Sequence, residues 1–510
     1  MHRLARKVEI LEKVVAYLRS TKINEAKKQN HLLGISRWNT SVRSTEGLEK
    51  AGYQSIGSFS GENIEYLTGL PDEEYIAPAL PFAVDEPECR ISWLKMEEQN
   101  NEWEKEFMLD RDQWTFLNHG AFGAALRCGH TRAKQWRDYV ELQPLRFFDR
   151  DLLPHLAHSN RVLAEFINAP PDATALIPNA TSGLNSVLSG YAREFKGNIV
   201  LFDLAYGSVK KMARYYGGGD KVTEIPLIKD VLPILDENEL IESLRQGLEN
   251  IKRRKGNCAL RDSMLVLDHV TSNTAIQMPI QSLAAIAKEE GMYVLVDGAH
   301  GLLSLDLDMR ELHDSGVDFY VTNAHKWLST VRGAAIMYCA DLSLRESILR
   351  QPAIISHGID DGYLSRFVWD GCRDYAAQLS IPTVVEFWKS KSPARVRKAM
   401  NEMLIKSAKA LVTTWHPEKS LESRDVTIAP MSMNSSMCLI RLPDSLSGNK
   451  QNEKTSDDAK RIQDFLHDKH KIEVPIKAIG GVLYVRISCH VYNKIEEYEH
   501  LAQAIMTVCQ

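Results

Sequence analysis

The 510-residue sequence is short of every feature that would mark an extracellular, fibrous or membrane protein. Its eight cysteines (Cys89, Cys128, Cys258, Cys339, Cys372, Cys438, Cys489 and Cys509) are scattered, with no Cys-x-x-Cys pair and no zinc-like spacing. That pattern excludes a disulfide miniprotein and reads as buried thiols in a reducing compartment. No apolar run approaches the ~20 residues that a membrane helix needs. There is no excess of one charge: 62 basic and 67 acidic residues leave a net charge of -5, so no global field invites nucleic acid or anionic lipid. No internal repeat is present. What is there is 44% hydrophobic and 25% charged, the composition of a globular chain with a large core. A cytoplasmic enzyme is the expectation. The N-terminal MHRLARKVEILEKVVAYLRS lacks the apolar core of a secretory signal and reads as a basic amphipathic helix, with Val8, Leu11, Val14, Val15 and Leu18 at helical spacing. A mitochondrial leader is the alternative, opposed by Glu9 and Glu12, because such leaders are acid-poor.

Three units are expected. Residues 1–108 read as an accessory extension in which the basic helix is followed by a Gly/Ser-containing stretch and a Pro-rich acidic linker, LPDEEYIAPALPFAVDEPE; EEQNNEWEKEF then predicts a helix. Residues 109–379 carry short apolar runs, NIVLFD, SMLVLDH, MYVLVDG, VDFYVTN and GAAIMYC, each the length of a strand buried on both faces. Amphipathic segments such as ENELIESLRQGLENIKRR and IQSLAAIAKEEG lie between several of them. Strand–helix alternation predicts an α/β fold with a large, mostly parallel sheet covered by helices. Residues 380–510 predict a smaller α+β domain. It has a long helical stretch, strands near VTIAP, MCLIRL and VLYVRIS, a helix near DDAKRIQDFLHD, and SLSGNKQNEKTSDD as an exposed loop.

Functional groups in an open parallel sheet belong at the carboxyl ends of its strands. Three such ends are chemically unusual. MYVLVDGAHG puts Asp297 directly after an apolar strand, with His300 beyond it. VDFYVTNAHKWLS puts Lys326 just past another strand, between His325 and Trp327; an amine in an apolar setting tends to lose its charge, as a Schiff-base lysine must. ALIPNATSGLNSVLSG brings Thr181, Ser182 and Gly183 to a helix start, where free N–H groups suit a phosphate. Each has a plainer reading alone: a solvated strand-end carboxylate, a snorkelling lysine, an ordinary N-cap. In this order, with Lys326 following Asp297 by 29 residues, they are the parts needed to hold pyridoxal 5'-phosphate (PLP).

From about residue 110 onward the chain resembles the class V aminotransferase family of fold-type I PLP enzymes, most of all its isopenicillin N epimerase-like and hercynylcysteine sulfoxide lyase-like members. The ordered motifs that carry the resemblance are FLNHGAFG, QPLRFF, NATSGLNSVL, AYGS, HVTSNTAIQMPI, VDGAHG, DFYVTNAHKW, SHG, WDGCRD and VRISCHVYN. It implies Lys326 as the Schiff-base lysine, Asp297 as the partner of the pyridine nitrogen and His300 beside the phenolic oxygen. Thr181, Ser182 and His325, with Asn323, are implied as the phosphate cradle, and Tyr206 as the aromatic over the ring. Arg486 resembles the arginine for the substrate carboxylate, with Asn118, His119 and Ser272 on the substrate side. A homodimer is implied as well. The chain departs from the family pattern at Cys372, where relatives carry a Thr that reaches the neighbouring subunit's phosphate; a thiol is the weaker donor. Ala121 replaces a usual Ser, and Leu204 stands where some members have His, which favours Tyr206 for stacking.

The reaction expected is C–S β-elimination from a cysteine-derived amino acid, with Lys326 removing the α-proton. Epimerisation is the alternative and needs a second acid–base group, Tyr206 or His119. A desulfurase is disfavoured, because the comparable polar loop holds no cysteine and Cys438 falls in an apolar strand. Two other classes stay open: a metal-dependent hydrolase using Asp297, His300 and His325, and a catalytically silent binding protein. No metal site is assigned.

Overall fold

The computed structural model describes residues 62–84, 103–449 and 452–508. The N-terminal amphipathic helix, most of the Gly/Ser stretch, Cys89 and Cys509 lie outside them. The described strands are β1 (Thr115–Phe116), β2 (Thr174–Ile177), β3 (Ile199–Phe202), β4 (Val222–Ile225), β5 (Met264–Asp268), β6 (Tyr293–Asp297), β7 (Phe319–Asn323), β8 (Ala335–Tyr338), β9 (Met437–Arg441), β10 (Ile472–Glu473), β11 (Ile476–Ile479) and β12 (Val482–Ser488).

Seven of them form the main sheet in the order β2-β8-β7-β6-β5-β3-β4. β8 runs antiparallel to both of its neighbours and the other pairings are parallel, so the sheet is mostly parallel as expected. β2, β3, β5, β7 and β8 are buried at every residue, which is why their sequences are continuous apolar runs with no alternation. Helices cover the sheet, among them α1 (Glu62–Gly69), α2 (Arg127–Leu142), α3 (Leu152–Phe166), α4 (Ala180–Glu194), α5 (Gly207–Gly217), α6 (Glu237–Lys255) and α7 (Ile280–Glu289). α6 shows why such segments are helical. Asp236 caps it through the N–H groups of Asn238 and Glu239, and Leu240, Leu244, Leu248 and Ile251 form one buried stripe. Four basic residues, Lys252 to Lys255, then face the negative end of its dipole.

The second core belongs to the C-terminal lobe. There α8 (Pro393–Trp415), α9 (Ser456–His470) and α10 (Ile495–Val508) pack on the antiparallel sheet β11-β12-β9. β1 pairs in parallel with β10, and Leu117 lies in this second core, so a segment far upstream in sequence is built into the small lobe. VTIAP is not a strand: it makes one bridge, Thr427 to Ile440. EEQNNEWEKEF differs too: its described part holds a 3-10 turn, Glu104–Glu106. The described part of the Pro-rich stretch is irregular but docked. Tyr75 lies under Arg161, and Phe82 packs edge-on against Trp136 at 5.0 Å. Among the described residues no helix is long and apolar enough to cross a membrane.

Candidate active site

The site lies at the carboxyl ends of β5, β6 and β7. Asp268 and Asp297 are the last residues of β5 and β6 and are partners in the parallel register, so their side chains leave the same face of the sheet. Both are buried. Asp297 Oδ1 accepts the Ala299 N–H at 3.0 Å, and Asp268 Oδ1 accepts the Tyr206 N–H at 3.3 Å. Burial pushes both carboxyls up, Asp268 further because Asp297 lies beside it; the Lys326 amine pulls both partly back. Asp268 was missed from sequence, although LVLDH carries the same signature as VLVDG.

Lys326 sits in the turn after β7, partly buried. Its amine is pushed down to about 8, first by burial and then by Arg486, against the pull of Asp297 and Asp268. Nζ lies 3.1 Å from His300 Nε2. The indole of Trp327 donates to His300 Nδ1 at 3.3 Å, and burial holds His300 well below the usual range, so its ring is neutral with the proton on Nε2. With that tautomer Nε2–H can donate to Lys326 whenever the amine is deprotonated, and the lowered pKa makes that form easier to reach. The deprotonated amine is the nucleophilic form.

The turn carrying Lys326 is held by two histidines. His119 is fully buried; its Nε2 donates to the Lys326 carbonyl at 3.0 Å and its Nδ1 accepts from the Tyr492 hydroxyl at 2.8 Å. His490 Nε2 donates to the Trp327 carbonyl at 3.2 Å, and its ring packs against His119 with 4.3 Å between centroids and 35° between planes. His119 therefore does not face the substrate: both of its nitrogens are committed and burial holds it well below the usual range. Gly123 closes the turn from the other side. At φ +68° it allows an approach in which a Cβ would meet the His325 carbonyl oxygen at 2.0 Å.

The phosphate-type site is the start of α4. Asn179, the N-cap, accepts from the Ser182 N–H at 3.0 Å and the Ser182 hydroxyl at 3.2 Å. Asn323 Oδ1 accepts the Ala180 N–H at 2.9 Å, so Asn323 ties β7 to the helix start and its oxygen is spent there. Thr181 is exposed at the helix start. Gly183 lets the helix lie against the sheet, since a Cβ would meet Ile177 at 2.6 Å. His325 Nδ1 donates to the Ala334 carbonyl at 3.2 Å, and its ring is pushed down to about 4 by burial. Tyr206 is 45% exposed, held from beneath by Asp268, while Leu204 two residues earlier is buried.

Arg486, on β12, reaches from the small lobe. Its guanidinium donates to the Ser272 carbonyl and, at 3.0 Å, to Asn118 Oδ1. Asn118 is held in turn by Glu473 at 3.1 Å. Ser272 thus acts through its backbone. The Arg486 Nε–H is buried without a partner, an open donor for a carboxylate. Burial pushes the guanidinium down to about 10, still a cation at neutral pH. Cys372 is exposed, and Cys438 belongs to the small core, on the face of β9 turned from the site. The metal-hydrolase reading fails on its donors: both His300 nitrogens are taken by Lys326 and Trp327. Among the described residues no group of three His, Cys, Asp or Glu side chains is placed to hold a metal.

A lysine with a lowered pKa beside buried carboxylates, with a helix start and an open arginine, defines a PLP enzyme on a fold-type I scaffold. Comparison with known proteins agrees. Residues 155–352 match the family model described as aminotransferase class-V. An Arabidopsis thaliana protein named "Probable L-cysteine desulfhydrase, chloroplastic" is 32% identical over 80% of this chain and 85% of its own length. Isopenicillin N epimerase of Amycolatopsis lactamdurans is 26% identical over 77% of this chain and 94% of its own. A solved structure of the cystine C–S lyase C-DES with cysteine persulfide superposes with a TM-score of 0.59, at 17% identity over 77% of this chain and 97% of that one, a likeness of fold. The chain belongs to the class V aminotransferase family, and its cofactor is PLP.

Proposed function

We propose that the chain catalyses β-elimination from an amino acid bearing sulfur on Cβ: the C–S bond breaks with its electrons leaving on sulfur, and water completes the release of pyruvate and ammonia. In this reading Lys326 is the covalent anchor of the cofactor and the base that moves the Cα proton. Asp297 would face the ring nitrogen, Thr181 and the α4 start would hold the phosphate, and Tyr206 would cover the ring. Arg486 takes the substrate carboxylate through Nε–H and an Nη–H, which fixes Cα relative to Lys326. When bound, PLP supplies the sink for the negative charge left at Cα.

The observation that carries elimination over epimerisation is the commitment of His119. Inversion needs a second acid–base group on the opposite face, and His119 has no free nitrogen to serve. A second reading, an epimerase using Tyr206, is supported by the epimerase relative. A desulfurase needs a mobile accessible thiol, and Cys438 is buried away from the site. Incubation with cysteine and its S-substituted derivatives decides: pyruvate, ammonia and released sulfur are expected, whereas racemised amino acid without pyruvate would sink the lyase reading. The purified protein is expected to be yellow and Lys326→Ala colourless; a colourless wild type that takes up no PLP overturns the enzyme reading. We also read the chain as a homodimer, supported by the 72% exposed Phe122 next to the turn that carries Lys326. Light scattering on the active species tests it, and an active monomer refutes it.

A further inference from the structure

Arg486 has a cationic neighbour that the elimination chemistry leaves unused. β11 and β12 pair antiparallel with Lys477 opposite Tyr484, and Arg486 lies two residues beyond Tyr484. Lys477 and Arg486 are therefore diagonal neighbours on one face of the small sheet. That face is turned to the large domain: Met437, Leu439 and Tyr484 on it join the large core, whereas Cys438, Ile440, Val485 and Ile487 on the other join the small one. Lys477 is partly buried, and among the described residues its amine makes no ion pair or hydrogen bond. Burial and then Arg486 hold the amine below the usual lysine range. Arg486 has no carboxylate partner there either; Glu473, the acid in its network, bonds Asn118 instead.

Two partly desolvated like charges on one face of the small sheet without a counter-ion are unfavourable until an anion arrives. One α-carboxylate satisfies Arg486, whose Nε is its buried nitrogen left without a partner. Lys477 is left for another anion. Resting on the C–S lyase reading, we propose that Lys477 is a specificity-determining residue that receives an anionic substituent, carboxylate or sulfonate, carried on the sulfur of the substrate. The preferred substrate would then be a cysteine conjugate with two negative groups, such as S-carboxymethylcysteine or S-sulfocysteine.

The test compares holoenzyme kcat/KM for these two with that for the uncharged S-methylcysteine. The wild type is expected to favour the anionic substrates, Lys477→Gln to lower that ratio at least tenfold, and Lys477→Arg to retain it. A readout free of elimination is titration of the holoenzyme with glutamate against its neutral isostere glutamine, neither of which has a leaving sulfur, followed by cofactor absorbance. Glutamate selectivity is expected to fall at least tenfold in Lys477→Gln. If elimination proceeds and neither ratio moves, the anion subsite is overturned and the lyase reading stands. If no cysteine derivative is cleaved but glutamate selectivity still depends on Lys477, the lyase reading fails and the subsite stands.

Discussion

At the ends of β5 and β6, Asp268 and Asp297 stand side by side with Lys326 above them, and the three cannot all be charged in a buried space. The amine is lowered from 10.5 to about 8, so its neutral, nucleophilic fraction rises with pH and saturates above that value. Covalent attachment of PLP to the apoprotein is accordingly expected to accelerate up to about pH 8 and then level off; stopped-flow absorbance that keeps climbing toward pH 10.5 would contradict it. For Asp268 the folded value lies well above 3.8 while the unfolded chain keeps the ordinary one. Between the two the folded state binds more protons, so stability is fullest below 3.8 and is lost as pH rises toward the folded value. Asp268→Asn removes that loss and keeps an acceptor for the Tyr206 N–H, so its apoprotein should be no less stable than wild type at pH 7. Asp268→Ala strands the N–H and should be less stable by about 1–2 kcal/mol in denaturant unfolding. Asp297 was legible because a carboxylate after an apolar strand is unusual; the same rule applies to Asp268 after LVL, which the sequence reading passed over. The commitment of His119 was not: its partners, the Lys326 carbonyl and Tyr492, come from distant segments that only the fold brings together.

Elements were readable in proportion to how apolar they are. β3, β5, β6, β7 and β8 announce themselves as buried runs, whereas β4 is a half-buried edge strand whose Glu224 pairs with Lys210 and Arg214, and its polarity hides it. VTIAP has strand composition but only one bridge, since apolar residues also serve in extended coil. The Pro-rich stretch reads as linker because prolines and acids dominate it, yet its anchor lies elsewhere, on α3. Arg161 donates to the carbonyls of Thr68 at 2.9 Å and Leu70 at 2.8 Å, pairs with Asp72, and lies 4.2 Å over the Tyr75 ring. Glu65 on α1 in turn accepts the N–H groups of Leu364 at 2.7 Å and Ser365 at 3.1 Å. Arg161→Ala removes charge-assisted bonds worth about 1.5–3 kcal/mol each in partly buried settings, and leaves the Thr68 and Leu70 carbonyls unsatisfied. Limited proteolysis is expected to cut between residues 62 and 84 in this variant and spare the wild type; identical digests would mean that apolar contacts alone hold the segment.

The described residues form two cores joined through a site. Lys326 is rooted in the large sheet and Arg486 in the small one, yet Arg486 donates to Ser272 of the large domain and to Asn118 beside β1, a strand that itself belongs to the small lobe. On the proposed reading, a substrate held by its carboxylate at Arg486 and presenting Cα to Lys326 would span both lobes, so its affinity would depend on how firmly the small lobe is registered. Net charge and composition could not show this, because the two ends of the bridge are 160 residues apart in sequence (486 − 326). The chain order of the motifs gave the partners but not the open Nε donor, which appears only when the other guanidinium bonds are counted. Arg486→Ala is therefore expected to raise KM for the amino acid by a hundredfold or more, about 3 kcal/mol for a lost bidentate charge-assisted contact, while PLP still binds with its usual absorbance. Arg486→Lys keeps the charge but not the fork, and should recover only part of that loss. If instead Arg486→Ala released the cofactor along with the substrate, the arginine would be holding the lobes together rather than reading the carboxylate. The two roles separate in one titration, because PLP affinity reports the large domain and amino-acid affinity reports the bridge.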